Sequence, residues 1–307
     1  MPSLASARPG VALGAIAGLG VYRPSASAPL ARRVSGTEVT GVSYRVQAEQ
    51  GITTASLAAC AARAALRAAR IDSSELEMIV VGTTTPDVLW PTTACLVQTD
   101  LGLPMVASFD LYAAESSLLT ALNVASRYLA AGARAVLLIG AESDNQLVDL
   151  PGQGGPGHGR AGAAAVLTQS DKGGGVLATT AGGASQPEAD GDASDRILLH
   201  GVATAASDCL DRAGLSLRDV DLVIGEQSMP EVTQAWARAN QLDGDRLLLD
   251  PGRYGSLLAA APLVALYDAV SAGRLAEGRT ALLLSCGSGP SWAVACIRWN
   301  GGGLVEW

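Results

Sequence analysis

Between Phe109 and Leu119 the chain reads FDLYAAESSLL, an apolar strand end, a turn of small residues and the start of an Ala/Leu-rich helix. A turn of this kind can present a reactive group, because the helix N-terminus stabilises an anion. The residue at the turn is Glu115, a poor nucleophile for acyl transfer. Ser116 and Ser117 follow it with no histidine or lysine base in the motif, and they read as caps of the helix. The chain holds two histidines. His158 falls in the Gly/Pro loop LPGQGGPGHGR and reads as solvent-exposed, with a substrate contact as the alternative; His200 falls in a helix and reads as structural. Two histidines rule against a multi-histidine metal site, and no metal is expected. The cysteines at 60, 95, 209, 286 and 296 show no CxxC spacing. They read as reduced thiols of a cytoplasmic protein, with Cys60 and Cys95 in the core.

The elements that position these residues must form with few aromatics. Of 307 residues 49% are hydrophobic but only 4% aromatic, so Ala, Val and Leu build the core. A net charge of −8, with Lys172 as the one lysine, gives no basic field for nucleic acid. The opening MPSLASARPGVALGAIAGLGV lacks a basic leader and runs straight into YRP, so it reads as a first strand rather than a signal segment. No stretch reaches the roughly 18 uninterrupted apolar residues of a membrane span. An internal repeat sets the architecture. LRAARIDSSELEMIVVGTTTP (66–86) aligns with LDRAGLSLRDVDLVIGEQSMP (210–230) at an offset of 144. AAGARAVLLIG (130–140) pairs with AEGRTALLLSC (276–286) at 146, and GAAAVLTQ (162–169) with WAVACIRW (292–299) at 130. Three matches in order read as a duplicated α/β unit. The strands IVVG, AVLLIG, LVIG and ALLLS are continuous apolar runs, as in sheets covered on both faces. TTASLAACAARAALRAAR reads as a buried helix between sheets, and 182–194 as a polar, mobile junction between the halves. A layered α/β/α/β/α arrangement follows.

Over nearly its whole length the sequence resembles a β-ketoacyl-[acyl-carrier-protein] synthase III of the thiolase superfamily. The segments that carry the resemblance are MIVVGTTTPDVLWPTTACLVQTDLGL, ASFDLYAAESSLLTALNVASRYLAAGARAVLLIGAES and CGSGPSWAVACIRW. The resemblance implies the duplicated five-layer thiolase-like fold, with an N-terminal half at 1–175 and a C-terminal half at 176–307. It also implies a homodimer with each active site near the dimer interface. Glu115 matches the family's nucleophilic cysteine, Glu226 of LVIGEQSMP its histidine with Gln227 retained beside it, and Gly255 of DPGRYGSLLAAAP its asparagine. Claisen condensation on this fold needs a thiolate to carry the acyl group and donors to stabilise the enolate. Ordinary ketosynthase activity is therefore not expected, and Cys286, on the opposing loop, does not replace the nucleophile.

By the same resemblance, the oxyanion hole uses the backbone amides of Glu115 and Ser288. Trp90 of VLWPTT matches the position where a dimer partner caps the acyl pocket, with interface packing as the plainer role. Gln227, Gly255, Ser256 and Gly287 fall among the substrate-binding positions. Ser35 and Val39 stand where the family holds the CoA adenine with Trp and Arg, which favours a carrier-protein pantetheine arm over CoA as donor. No permanently bound cofactor is implied, only a phosphopantetheine-linked acyl substrate. Glu115 and Glu226 would face each other. At about 4 Å and an effective dielectric near 20 their repulsion is about 4 kcal/mol, or roughly three pKa units, so the pair would share one proton. Two readings stand side by side. One is an acid–base pair doing non-Claisen chemistry on an acyl thioester: cyclisation, acyl transfer to oxygen or nitrogen, dehydration or hydrolysis. The other is a decayed site in a silent subunit that pairs with an intact ketosynthase. Neither involves nucleic acid or membrane.

Overall fold

The computed structural model describes residues 12–24, 26–29, 44–47, 52–103, 105–143, 159–170, 173–185, 191–254, 257–287 and 289–307. Its strands in chain order are β1 (Ala15–Tyr22), β2 (Ala26–Pro29), β3 (Tyr44–Gln47), β4 (Leu76–Gly82), β5 (Ala107–Leu111), β6 (Ala135–Glu142), β7 (Ala161–Thr168), β8 (Gly175–Gly183), β9 (Leu222–Ile224), β10 (Leu247–Leu248), β11 (Thr280–Gly287), β12 (Ser291–Arg298) and β13 (Gly303–Glu306). The helices are α1 (Thr54–Ala69), α2 (Thr93–Asp100), α3 (Ser117–Ala130), α4 (Gly191–Ala213), α5 (Pro230–Ala239), α6 (Pro251–Tyr254) and α7 (Ala261–Ser271).

One sheet has the order β13-β1-β7-β6-β4-β5 and the other β10-β9-β11-β12-β8; β2 and β3 form a separate hairpin. Leaving β13 aside, the two orders are the same when β1, β7, β6, β4 and β5 are matched with β8, β12, β11, β9 and β10. The pairing directions agree as well, antiparallel at β1/β7 and β8/β12 and at β6/β7 and β11/β12, and parallel elsewhere. The three sequence repeats fall on β4 and β9, β6 and β11, and β7 and β12. Sheet membership changes between β7 and β8, but the last strand, β13, returns to the first sheet beside β1.

Between the sheets lie α3 and α7, whose apolar faces share one core with inward residues such as Leu19, Val80, Leu138, Ile224 and Leu283. Helices α1 and α2 cover the outer face of the first sheet, and α4 and α5 that of the second. The result is the α/β/α/β/α thiolase-like fold that the repeat implies. One expectation is overturned. The Ala-rich α1 is an outer helix that packs on β1, β6, β7 and β13, not a helix between sheets. Its alanines serve close approach: Gly18 and Gly20 of β1 face the α1 backbone at Ala69 and Ala65. The outer side of α1 is polar, with Arg63 paired to Asp100 and Arg67 stacked on Trp307. The 182–194 junction is in part the end of β8 and the start of α4; 186–190 lie outside the described residues.

A Cβ on Gly20 would lie 2.7 Å from the carbonyl carbon of Ala64, against rigid helix backbone. Gly20→Ala is expected to lift α1 from the sheet and cost about 1–3 kcal/mol, the usual range for overpacking. The urea midpoint with the slope unchanged is the measurement.

Candidate active site

The turn that ends β5 is built from its own hydroxyls. Ala114 takes a left-handed φ of 48°, uncommon for a residue with a Cβ. Ser117 Oγ accepts from the Ala113 N–H at 2.8 Å and donates to the Ala114 carbonyl at 2.5 Å. Ser116 donates to the Ala113 carbonyl at 2.7 Å. The two serines therefore hold the turn rather than cap the helix; Ser116 makes no side-chain bond to a helix amide. The Ala113 and Ala114 carbonyls, outside any helix or sheet ladder, take donors from these hydroxyls, with Ser291 of β12 adding one to Ala113 at 3.1 Å. Another of the four non-glycine left-handed residues among those described, Leu258, precedes α7 at 144 residues from Ala114, the offset of the sequence repeat.

Glu115 follows Ala114 and is half-buried. Its carboxylate fills the place where a Cβ on Gly287, in β11, would stand. Glu226, just beyond β9, is 1% exposed. Its Oε1 accepts from the Ser228 N–H at 3.0 Å and the Ser228 hydroxyl at 2.8 Å, and Ser285 Oγ lies 2.7 Å from Oε2. The same Ser285 Oγ is 2.8 Å from the Glu115 carbonyl oxygen. On the backbone side, the Glu226 N–H donates to Thr233 of α5 at 3.1 Å. Burial pushes the Glu226 carboxyl up to about 7; the bonds from Ser228 and Ser285 pull it down, and the Glu115 charge adds a smaller push upward. Desolvation, not mutual repulsion, is thus the main cause.

The structure brings Glu115, Glu226 and Gly287 together. Gln227 spends its amide elsewhere, donating to the Gly225 carbonyl at 3.1 Å and accepting from the Asp250 N–H at 2.9 Å, so that it ties the end of β9 to the 250 loop. Trp90 stands on the loop between β4 and α2, precedes a cis Trp90–Pro91 bond, and is 84% exposed. Gly255, Ser256 and Ser288, together with His158, Ser35 and Val39, lie outside the described residues. His200 is exposed on α4 beside Thr204 and Asp208. Cys286 lies within β11, not on a loop, and Cys60 and Cys95 are half-buried rather than core. Burial holds the thiols of Cys209, Cys286 and Cys296 far up and protonated. Among the described residues no cluster of His, Cys, Asp or Glu could hold a metal ion, and no helix is long and apolar enough to cross a membrane.

Sequence reading misses Ser285, Ser228 and Glu142. Ser285 and Glu142 carry a signal, a polar residue within or at the end of an apolar run, which must find partners once buried; Ser228, third in the polar stretch Glu226–Gln227–Ser228, carries none. Glu142 accepts from the Thr84 N–H (2.8 Å), the Thr84 and Thr85 hydroxyls (2.8 and 2.7 Å) and the Ala259 N–H (3.3 Å). Burial raises it to about 7 against those four bonds.

A mixed α/β protein with two matching sheets around a shared pair of helices is a thiolase-like fold. The comparisons narrow the class. The profile of 3-oxoacyl-[acyl-carrier-protein (ACP)] synthase III matches residues 109–185, and its C-terminal counterpart matches 210–299. The β-ketoacyl-[acyl-carrier-protein] synthase III of Roseiflexus castenholzii is 33% identical over 296 residues, covering 86% of this chain and 88% of its own. That of Methylococcus capsulatus is 31% identical over 315 residues, covering 92% and 98%. The crystal structure of the Aquifex aeolicus VF5 3-oxoacyl-[acyl-carrier-protein] synthase III superposes with a TM-score of 0.85 at 28% identity, covering 93% of this chain and 100% of that one. The chain belongs to the ketoacyl-[acyl-carrier-protein] synthase III family.

The two raised carboxyls have a consequence for stability. In the unfolded chain they titrate near 4.5, in the folded chain near 7. Between these values the folded state holds more protons, so stability is greatest below the lower value and is lost as pH rises through the upper one. The rise from 4.5 to about 7 corresponds to roughly 3 kcal/mol for each group. Urea unfolding at a series of pH values from 4.5 to 8 should show this decline. Glu226→Gln and Glu142→Gln should each flatten it by one group's share.

Proposed function

We propose that this protein acts on an acyl thioester, carried on the phosphopantetheine arm of an acyl carrier protein or on CoA, without a covalent acyl-cysteine and without Claisen condensation. Glu115, Glu226 and Gly255 stand, by the motif alignment, where the family carries cysteine, histidine and asparagine. The observation that carries the reading is the buried Glu226 carboxyl, hydrogen-bonded through Ser285 to the turn that presents the Glu115 carboxylate. A carboxyl that titrates near 7 next to a second one at a helix N-terminus supports a general acid and a general base in one site.

In an acyl transfer of this kind, Glu115 takes the proton of an attacking O–H or N–H as the new bond to the carbonyl carbon forms. The C–S bond then breaks, and the leaving thiolate takes the proton of Glu226. With a hydroxyl or amine of the same acyl chain as nucleophile the product is a ring; with water it is the free acid. Dehydration uses the same two groups, a base at the α-carbon and an acid at the departing hydroxyl. Fatty-acid or polyketide-type biosynthesis in the cytoplasm is the setting, with no permanently bound cofactor.

Glu115→Gln and Glu226→Gln keep the shape and remove the proton traffic. Each is expected to lower turnover of a carrier-bound acyl substrate by about 10²–10⁴-fold. A labelled acyl donor should leave no adduct on the protein; a stable thioester on any cysteine, or full activity in both variants, would refute the reading.

A second reading has its own observation. Leu89, Trp90, Met105 and Tyr112 expose large apolar side chains around the edge strand β5, with Met105 91% exposed. Such a patch supports a partner chain, either a second copy or an intact ketosynthase for which this protein is a silent subunit. Light scattering after size exclusion is expected to give twice the chain mass for the homodimer. In the silent-subunit case, Glu→Gln variants leave the partner's turnover unchanged, while Trp90→Ala alters pairing or chain-length choice.

A further inference from the structure

We propose that Ser285 is a positioning residue that couples the proton on Glu226 to the seat of Glu115. Ser285 is fully buried in β11 and its hydroxyl oxygen lies within bonding distance of two oxygens, Glu226 Oε2 at 2.7 Å and the Glu115 carbonyl at 2.8 Å. The hydroxyl has one proton, and a peptide carbonyl can only accept. Both contacts are hydrogen bonds together only when Glu226 donates to Ser285 and Ser285 donates to Glu115. The proton of Glu226 is therefore on Oε2. Its other oxygen agrees: Oε1 accepts twice from Ser228, as the carbonyl oxygen of a neutral acid does.

When Glu226 loses that proton, its carboxylate becomes the stronger acceptor and draws the Ser285 hydroxyl to itself. The Ser285 bond to the Glu115 carbonyl is then given up, in the turn that follows the left-handed Ala114. The titratable groups around Glu226 are few among the described residues. Glu115 faces it from the turn, and Cys286, a protonated thiol, lies next to Ser285 on β11 with Asp195 of α4 acting on it. From α5 comes only the Thr233 hydroxyl, on the backbone side. In the acid–base reading, on which the catalytic use of this coupling rests, giving up the acid's proton loosens the base, so that reprotonation resets both groups.

The test is nuclear magnetic resonance on the whole chain labelled at glutamate carboxyl carbons and at backbone amides. The Glu226 carboxyl is assigned by its loss in Glu226→Gln. In the wild type the carboxyl and the amides of Glu115, Ser116 and Ser117 should shift with one midpoint near 7. In Ser285→Ala the carboxyl should still titrate while the turn amides lose their pH dependence over that range. In Glu226→Gln, whose amide N–H can still donate to Ser285, the turn amides should stay at their low-pH positions at every pH. Ser285→Cys, close in size but a far weaker donor, gives the same readout if the alanine variant does not fold. Turn amides that follow the carboxyl in Ser285→Ala or Ser285→Cys as in the wild type overturn the proposal. So does a wild-type Glu226 already ionised at pH 6. Unchanged turnover in Glu226→Gln would remove the acid–base reading and leave the coupling intact, so the two fail separately.

Discussion

Two sharp turns, one before each of the central helices, press into the opposite half of the molecule, and each finds room only because a strand there has no side chain. The turn at Ala114–Glu115 rests on Gly287 of the second sheet; the turn at Leu258–Ala259 rests on Gly140 of the first, whose Cβ would stand 3.1 Å from the Ala259 carbonyl carbon. This reciprocal seating fixes where α3 and α7 begin and therefore which way the layer between the sheets points. The sheets can share so thin a middle layer because the helices start flush against the strands, and the left-handed φ at Ala114 and Leu258 is the local strain that allows it.

Two buried carboxyls work on either side of this arrangement. Glu142 gathers four donors from the loop after β4 and from Ala259, and so ties the first sheet to the turn of the second half. Glu226 gathers Ser228 and Ser285 and through Ser285 reaches the turn of the first half. A carboxyl taken from water costs heavily unless its oxygens are bonded, and both are. Burial raises both to about 7, yet their surroundings differ: Glu142 is enclosed by threonine and backbone donors, whereas Glu226 adjoins a half-exposed second carboxylate.

Much of the fold is legible in the sequence because continuous apolar runs and a repeat offset survive duplication: IVVG and LVIG, or AVLLIG and ALLLS, announce equivalent buried strands. The place of α1 is not, since an alanine-rich helix looks the same whether two sheets or one glycine-lined sheet lies against it. The turn at Glu115 is legible from the strand-to-helix pattern, and the nearness of Glu226 from the family resemblance. The bonds that set their chemistry are not. Ser285 sits in a run of apolar residues with nothing nearby in sequence to show that its hydroxyl meets residues 59 and 170 positions away. Ser116 and Ser117 look like helix caps because the local pattern cannot reveal that Ala114 is left-handed. Glu142 looks like a strand-ending acid because Ala259, one of its donors, comes from the other half.

The matching turns, 144 residues apart, also provide an internal control. Both make the same left-handed approach to a central helix, and both lie against a glycine. One carries a methyl group after the strained residue, Ala259; the other carries a carboxylate, Glu115. The methyl version shows that the backbone asks for nothing larger at this position. Whatever reason there is for an acid at 115, it belongs to the space in front of the turn and not to the scaffold behind it.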